Sequence, residues 1–239
     1  MSSSTPGGAK PQTTTLWHHP GQQHDPDEVH GDPRYAGRTP SFVLWNLLER
    51  YTRPGDRVLD AFAGGGTTLD VARSMGREPI GFDLAPRRDD IRRGDARELP
   101  LESGSIDFLF MDPPYSTHLE YSEDPRCIGK LDAFEDEYFD AMEAVFGEAH
   151  RVLADRRYLA IYVSDSFKKG RGFVGIGARL FAQLERQFRA VDHVAVVRGN
   201  RKLEKPNFHR SALEGNYFLR GFNHLLIFKK ELPETARRR

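Results

Sequence analysis

The apolar run Ile106-Asp107-Phe108-Leu109-Phe110-Met111 reads as a buried strand and leads straight into Asp112-Pro113-Pro114-Tyr115. Two consecutive prolines stop a strand, because neither has an N–H for the sheet ladder and both hold φ near about −65°. Such a chain must end a core strand here and present a rigid turn at its carboxyl end. The turn offers one carboxylate, backbone carbonyls and an aromatic ring, a set able to grip a planar base by its exocyclic amino group. Alone, the tetrapeptide also has the composition of an ordinary strand-ending turn.

The pattern around this strand is alternating. An apolar stripe over Ser41 to Tyr51 predicts a helix with Ser41 as N-cap. Arg57 to Phe62 predicts a strand, Ala63-Gly64-Gly65-Gly66 a tight loop, and the residues after Thr67 or Thr68, as cap, a helix to about Met75. Pro79 to Asp83 and Ile91 to Gly94 predict two more strands. A long amphipathic helix is expected from about Ala133 to Leu153, a strand over Tyr158 to Val163, and a helix over Val174 to Phe188. Val191 to Val197 and Asn223 to Phe228 predict two late strands joined by a polar loop without a clear helix. Strands alternating with helices imply a doubly wound, Rossmann-like α/β sheet, and the late pair implies an antiparallel strand at the sheet end. Residues 1–15 read as a disordered tail, 16–38 as an extended arm, 39–232 as one domain and 233–239 as a second tail.

Composition narrows the partners. Lys and Arg number 35, as do Asp and Glu, so no global field draws the chain to nucleic acid and any such partner needs local basic patches. The single Cys127 excludes an internal disulfide and an all-cysteine zinc site, and fits a cytoplasmic protein. No apolar stretch reaches membrane-spanning length, so no membrane partner is expected. His18, His19, His24 and His30 share no helix face and no cysteine, so they read as a solvated arm rather than a metal site. Trp17 reads first as an anchor for that arm.

A strand, a glycine loop and a helix in sequence make a nucleotide-type site at a topological switch point. Glycines such as Gly64 and Gly66 let the backbone approach a ligand. Asp83, about twenty residues on, ends the next strand where an acid commonly accepts from ribose hydroxyls. Asp95, followed by Ala96, ends the third strand and could meet an adenine amino group. Asp60 ends the first strand; it would repel a pyrophosphate but suits the cationic amino and sulfonium groups of S-adenosylmethionine. The loop alone leaves NAD, a flavin, S-adenosylmethionine or a plain tight turn open.

Together, Asp60-Ala61-Phe62-Ala63-Gly64-Gly65-Gly66-Thr67-Thr68 and Asp112-Pro113-Pro114-Tyr115 resemble the DNA amino-methyltransferases, which methylate adenine N6 or cytosine N4 and serve restriction-modification. The first stretch is similar to their cofactor loop, with Ala61 where the family has proline. Thr39-Pro40-Ser41-Phe42 and its helix resemble the family's amino-terminal cofactor motif. The resemblance implies S-adenosylmethionine as cofactor and Asp112, Pro113, Pro114 and Tyr115 as the catalytic turn. Asp112 and the Pro113 carbonyl would accept the two amine hydrogens while Tyr115 stacks on the base. Aspartate at the first position resembles the adenine enzymes more than the cytosine enzymes. The motif order is permuted relative to one subclass, and no long insertion is available for a recognition domain.

Lys168, Lys169 and Arg171, with Arg198, Arg201, Lys202, Lys205 and Arg210, are the expected phosphate-tracking cations, with DNA as the first partner and RNA as a second. A solvated charged loop is the plainer reading of any one of them. Adenine N6 in DNA leads the expected targets. Cytosine N4, a guanine amino group of RNA, and a catalytically silent nucleic-acid-binding module follow.

Overall fold

A computed structural model describes residues 11–18, 23–24, 27–35, 37–115, 121–197 and 201–233, the side chains of Arg201 and Lys202 excepted. In chain order its elements are β1 (Leu16–Trp17), α1 (Ser41–Tyr51), β2 (Arg57–Asp60), α2 (Thr67–Ser74), β3 (Glu78–Asp83), β4 (Ile91–Arg93), β5 (Ile106–Met111), α3 (Asp136–Val152), β6 (Leu153–Val163), β7 (Ser166–Lys168), β8 (Gly172–Val174), α4 (Ile176–Leu184), β9 (Arg189–Val197), α5 (Pro206–Glu214) and β10 (Phe222–Lys229). Eight strands form one sheet in the order β1-β9-β10-β6-β5-β2-β3-β4. Strands β4, β3, β2, β5 and β6 run parallel, and β10 is antiparallel to both neighbours, β6 and β9. The sheet is the expected doubly wound type. The reversed strand is not its edge, however: it slots between β6 and β9, so β9 resumes the parallel direction.

Alternation along β5 explains why this strand is central. Phe108 and Phe110 point to the face covered by α1 and α2, while Leu109 and Met111 point to the face covered by α3 and α4. All four are buried, and burying each such side chain contributes about 1.5–3 kcal/mol. A polar replacement at any of them would strand an unpaired group between sheet and helices.

Several expectations need correction. Ser41 and Thr67 are the first helical residues rather than caps; the caps are Pro40 and Gly66. Gly66 sits at φ 79°, a left-handed backbone that side chains disfavour. Ser41 instead accepts the His24 N–H at 2.8 Å. The stretch between β9 and β10 is not a bare loop, since α5 occupies it. A hairpin, β7–β8, follows β6 where no strand was expected. Residues 11–15 are docked rather than a tail: the Gln12 N–H donates to Asn46 and the Gln12 carbonyl accepts from Arg50. The Thr15 carbonyl accepts the Ala195 N–H beside the β1–β9 pairing. The arm's histidines are solvated only in part: His18 is exposed, as a solvated arm requires, but His24 and His30 are not. His30 is buried and its Nε2 lies 3.1 Å from Glu28, while His24 faces Trp45; His19 lies outside the described residues. Trp17 anchors the arm, buried and donating to the Thr14 carbonyl. Among the described residues no helix is long and apolar enough to cross a membrane.

Candidate functional site

The strand order reverses at β2. From there β3 and β4 run to one side and β5 and β6 to the other, so loops leaving β2 and β5 diverge and open a crevice at their carboxyl ends. Asp60 ends β2 and Asp112 follows β5 in the adjacent strand, in register through Asp60 and Phe110. Two adjoining open clefts occupy this crevice and share Tyr35, Phe62, Asp112 and Tyr121. One is lined by Asp83, Asp95, Ala96, Ala61 and Pro114. The other is lined by Thr39, Asp60, Gly64, Thr67, Thr68 and Tyr115. Pro40, Ser41, Gly66 and Pro113 line neither, and Gly66 packs against Arg88 instead.

Three carboxylates at consecutive strand ends set the electrostatics. Asp60 is buried, accepts the Phe62 N–H at 2.9 Å and the Thr68 hydroxyl at 2.5 Å, and is pushed by burial up to about 7. Asp83 accepts N–H bonds from Gly64 at 3.0 Å and Ala85 at 2.9 Å, which lock it across the glycine loop. Burial raises the Asp95 carboxyl, but paired bonds from Arg97, at 2.9 and 2.7 Å, outweigh it and leave it below the ordinary value. A triphosphate or pyrophosphate would meet this row of acids with no basic residue among those lining the Asp83 cleft. This set of acceptors fits a ligand with a cationic group and several hydroxyl or amino hydrogens to give, as S-adenosylmethionine has.

Asp112 is half-buried, and the Thr39 hydroxyl donates to its Oδ2 at 2.5 Å. Thr39, expected on the cofactor, holds the carboxylate of the proline turn. Tyr115 packs against the core on the α3 side. Tyr121 and Pro114 both pack on Gly129, where a Cβ would come within 2.7 Å of the Tyr121 ring and 3.1 Å of the proline. Residues 116–120, with His118, lie outside the described residues.

Sequence reasoning missed Tyr35. The arm carries it over the glycine loop, held by a hydrogen bond from the Asp32 N–H to the Gly65 carbonyl at 2.8 Å. A Cβ on Gly64 would stand 2.9 Å from its ring, and Gly65 faces it similarly. Burial, with Asp83 and Asp112 nearby, pushes its hydroxyl up to about 12. The expected cations are more scattered. Arg171 is paired with Asp132 and Glu135, and Lys168 lies 3.4 Å from Asp132. Lys169 lies at the hairpin turn, Lys205 and Arg210 are exposed on or beside α5, and Arg198 with the side chains of Arg201 and Lys202 lies outside the described residues. Among the described residues no group of three acidic, His or Cys side chains could hold a metal ion.

Part of the chain is similar to known proteins. The DNA methylase family matches residues 3–91, a span from the arm through the glycine loop to β4 that stops short of the proline turn. The type II methyltransferase M.HinfI of Haemophilus influenzae is 30% identical over 96 residues, 39% of this chain and 26% of that protein. The type II methyltransferase M2.DpnII of Streptococcus pneumoniae is 44% identical over 54 residues, 21% and 20% of the two chains. The chain thus spans about a quarter of the length of these curated relatives. A SAM-dependent methyltransferase from Methanosarcina mazei superposes with a TM-score of 0.51 at 14% identity, over 78% of this chain and 98% of that one. At that identity the likeness speaks for the fold.

Proposed function

We propose that the chain, whose residues 3–91 match the DNA methylase family, methylates the exocyclic amino group of a base in DNA, adenine N6 ahead of cytosine N4. S-adenosylmethionine supplies the electrophilic methyl group when bound. The observation that carries this reading is the adjacency of Asp60 and Asp112 at neighbouring strand ends, on clefts that share Tyr35 and Phe62. Asp83 accepts from the ribose hydroxyls, Asp60 holds the cationic amino group, and Asp95 and Ala96 bound the adenine end.

The acceptor amine is a weak nucleophile because its lone pair is delocalised into the ring. Asp112 accepts one N–H and the Pro113 carbonyl the other, which favours a pyramidal nitrogen aimed at the methyl carbon. With the donor bound, its methyl group would pass to this nitrogen, leaving the sulfur its electron pair, and Asp112 or water would take the excess proton. Thr39 holds Asp112 in place for this through the bond already described. Tyr115 stacks on the base, which must leave its helix or come from an open strand. Aspartate at the first turn position favours adenine over cytosine. The reaction belongs in the cytoplasm, where donor and DNA meet.

The test is transfer of labelled methyl from S-adenosylmethionine to DNA. Wild type transfers label, and Asp112→Ala lowers the rate by about 10²–10³-fold or more while still binding donor. Absence of transfer to any DNA or RNA by a donor-loaded wild type would sink the proposal and leave the silent binding module.

A further inference from the structure

The carboxyl edge of the outer sheet carries a feature that methyl transfer itself does not use. Three phenylalanines are left in solvent there: Phe173 is 57% exposed, Phe218 86% and Phe222 43%. Phe173 belongs to the β7–β8 hairpin, and Phe218, in the connection from β9 to β10, is followed by Phe222 at the start of β10. The hairpin and the connection are fastened together. The rings of Phe167 and Tyr217 stack at 4.3 Å with 15° between planes. The guanidinium of Arg220 lies 5.1 Å over the Phe173 ring and donates to the Phe218 carbonyl. Their root is tied as well, because Asp165, just past β6, lies 2.9 Å from His224 on β10 and accepts the Gly177 N–H. The result is one ledge.

Topology sets where the ledge stands. The hairpin leaves the carboxyl end of β6, the parallel neighbour of β5, so it flanks the turn that starts at Asp112. Phe222 opens β10 at that same edge, with His224 opposite Val163. Charge picks the partner. The chain as a whole is neutral, yet residues 201–221 hold Arg201, Lys202, Lys205, Arg210 and Arg220 against Glu204 and Glu214 alone. Lys169, Lys205 and Arg210 have no acidic partner among the described residues. Aromatic faces interleaved with cations suit a flexible polyanion whose bases can stack. An apolar protein partner or a second copy of this chain would not call for the cations.

We propose that Phe173, Phe218 and Phe222 form a stacking ledge for unpaired nucleotides of the strand that carries the target base. It would give the hairpin and the β9–β10 connection a grip on the strand beside the target base. The idea rests on the proposed methylation of a nucleic-acid base, and its test separates the two. The full chain is titrated into a fluorescein-labelled single-stranded oligodeoxynucleotide, and into the matching duplex, at several salt concentrations, with anisotropy as readout.

Wild type binds the single strand more tightly than the duplex. Phe173→Ala and Phe218→Ala each weaken single-strand binding about fivefold or more, with the salt slope unchanged because no ion contact is lost. Phe218→Trp keeps the affinity, and Lys169→Ala lowers the salt slope instead. Unfolding midpoints of the Phe218 variants match wild type, since the side chain is exposed. Single-strand affinity unchanged in the combined phenylalanine variant, with methyl transfer intact, overturns the ledge and leaves the methylation reading standing. Sedimentation of wild type as a dimer that Phe218→Asp dissociates would also overturn it, assigning the patch to self-association. Loss of methyl transfer in wild type with strand binding retained would instead remove the methylation reading and keep the ledge.

Discussion

The two wings of the sheet solve different problems. On one wing β2, β3 and β4 are short, and at or just past the end of each stands a carboxylate gripped by backbone or side-chain donors. Asp83 takes two backbone N–H bonds, Asp60 one N–H and one hydroxyl, and Asp95 the N–H and guanidinium of Arg97. On the other wing β6, β10 and β9 are long, and their connections carry a hairpin, a helix and exposed rings. The first wing fixes polar atoms through the main chain, as a small ligand with few contacts requires. The second presents side chains that larger partners can rearrange. Side chains on the first should therefore govern donor binding, and those on the second only the acceptor.

The two wings are expected to differ most at Asp83. Asp83→Ala removes the expected ribose acceptor and the anchor of Gly64, so donor binding should weaken about 10- to 100-fold, from about 1.5–3 kcal/mol for a charge-assisted bond. Calorimetric titration with S-adenosylmethionine reads this, and unchanged affinity would detach the glycine loop from the donor.

A smaller effect is expected from pH. Asp60 is raised by burial to about 7 from an ordinary 3.8, so below pH 7 its carboxyl is neutral and the cationic donor must expel a proton. Donor affinity should rise as pH climbs from about 6 towards 7, by at most about tenfold per unit, and level off above. Asp60→Asn should flatten that rise. The same raised value makes the stabilising contribution of Asp60 complete below pH 3.8 and lost as pH passes about 7, so the free protein's thermal midpoint should decline across that window.

Tyr35 sharpens the comparison with the smallest change. Its ring covers the glycine loop and its hydroxyl has no assigned chemistry, so Tyr35→Phe should leave donor affinity within about twofold while Tyr35→Ala weakens it several-fold. Isothermal titration distinguishes the two. Equal losses in both variants would assign the hydroxyl, rather than the ring, to the donor.

Much of the donor wing was legible in the sequence because its signals are local. An apolar run of six ended by two prolines delimits β5, and the glycines and the acid of Asp83 mark their own turns. The tertiary contacts were not legible. Tyr35 reaches the loop only because the arm folds back, and no periodicity announces that; Gly64 and Gly65 were the available hint, since a missing Cβ leaves room for something to approach. Helix α5 escaped notice because Ala212 is its only buried residue, which leaves no apolar stripe, although Pro206 at its start is a good helix opener. Hairpin β7–β8 is three residues a side and rich in cations, too short and polar to show strand alternation. The reversed strand was foreseen, but its slot between β6 and β9 depends on pairing that sequence order does not reveal.

The most direct test of the account is the identity of the product. DNA incubated with the protein and S-adenosylmethionine is digested to nucleosides and separated by mass. The account predicts N6-methyladenine that disappears with Asp112→Ala. N4-methylcytosine would keep the site and change its base. A methylated ring carbon, or no methylated nucleoside from a protein shown to bind the donor, would contradict the claim that Asp112 and Pro113 hold an exocyclic amine.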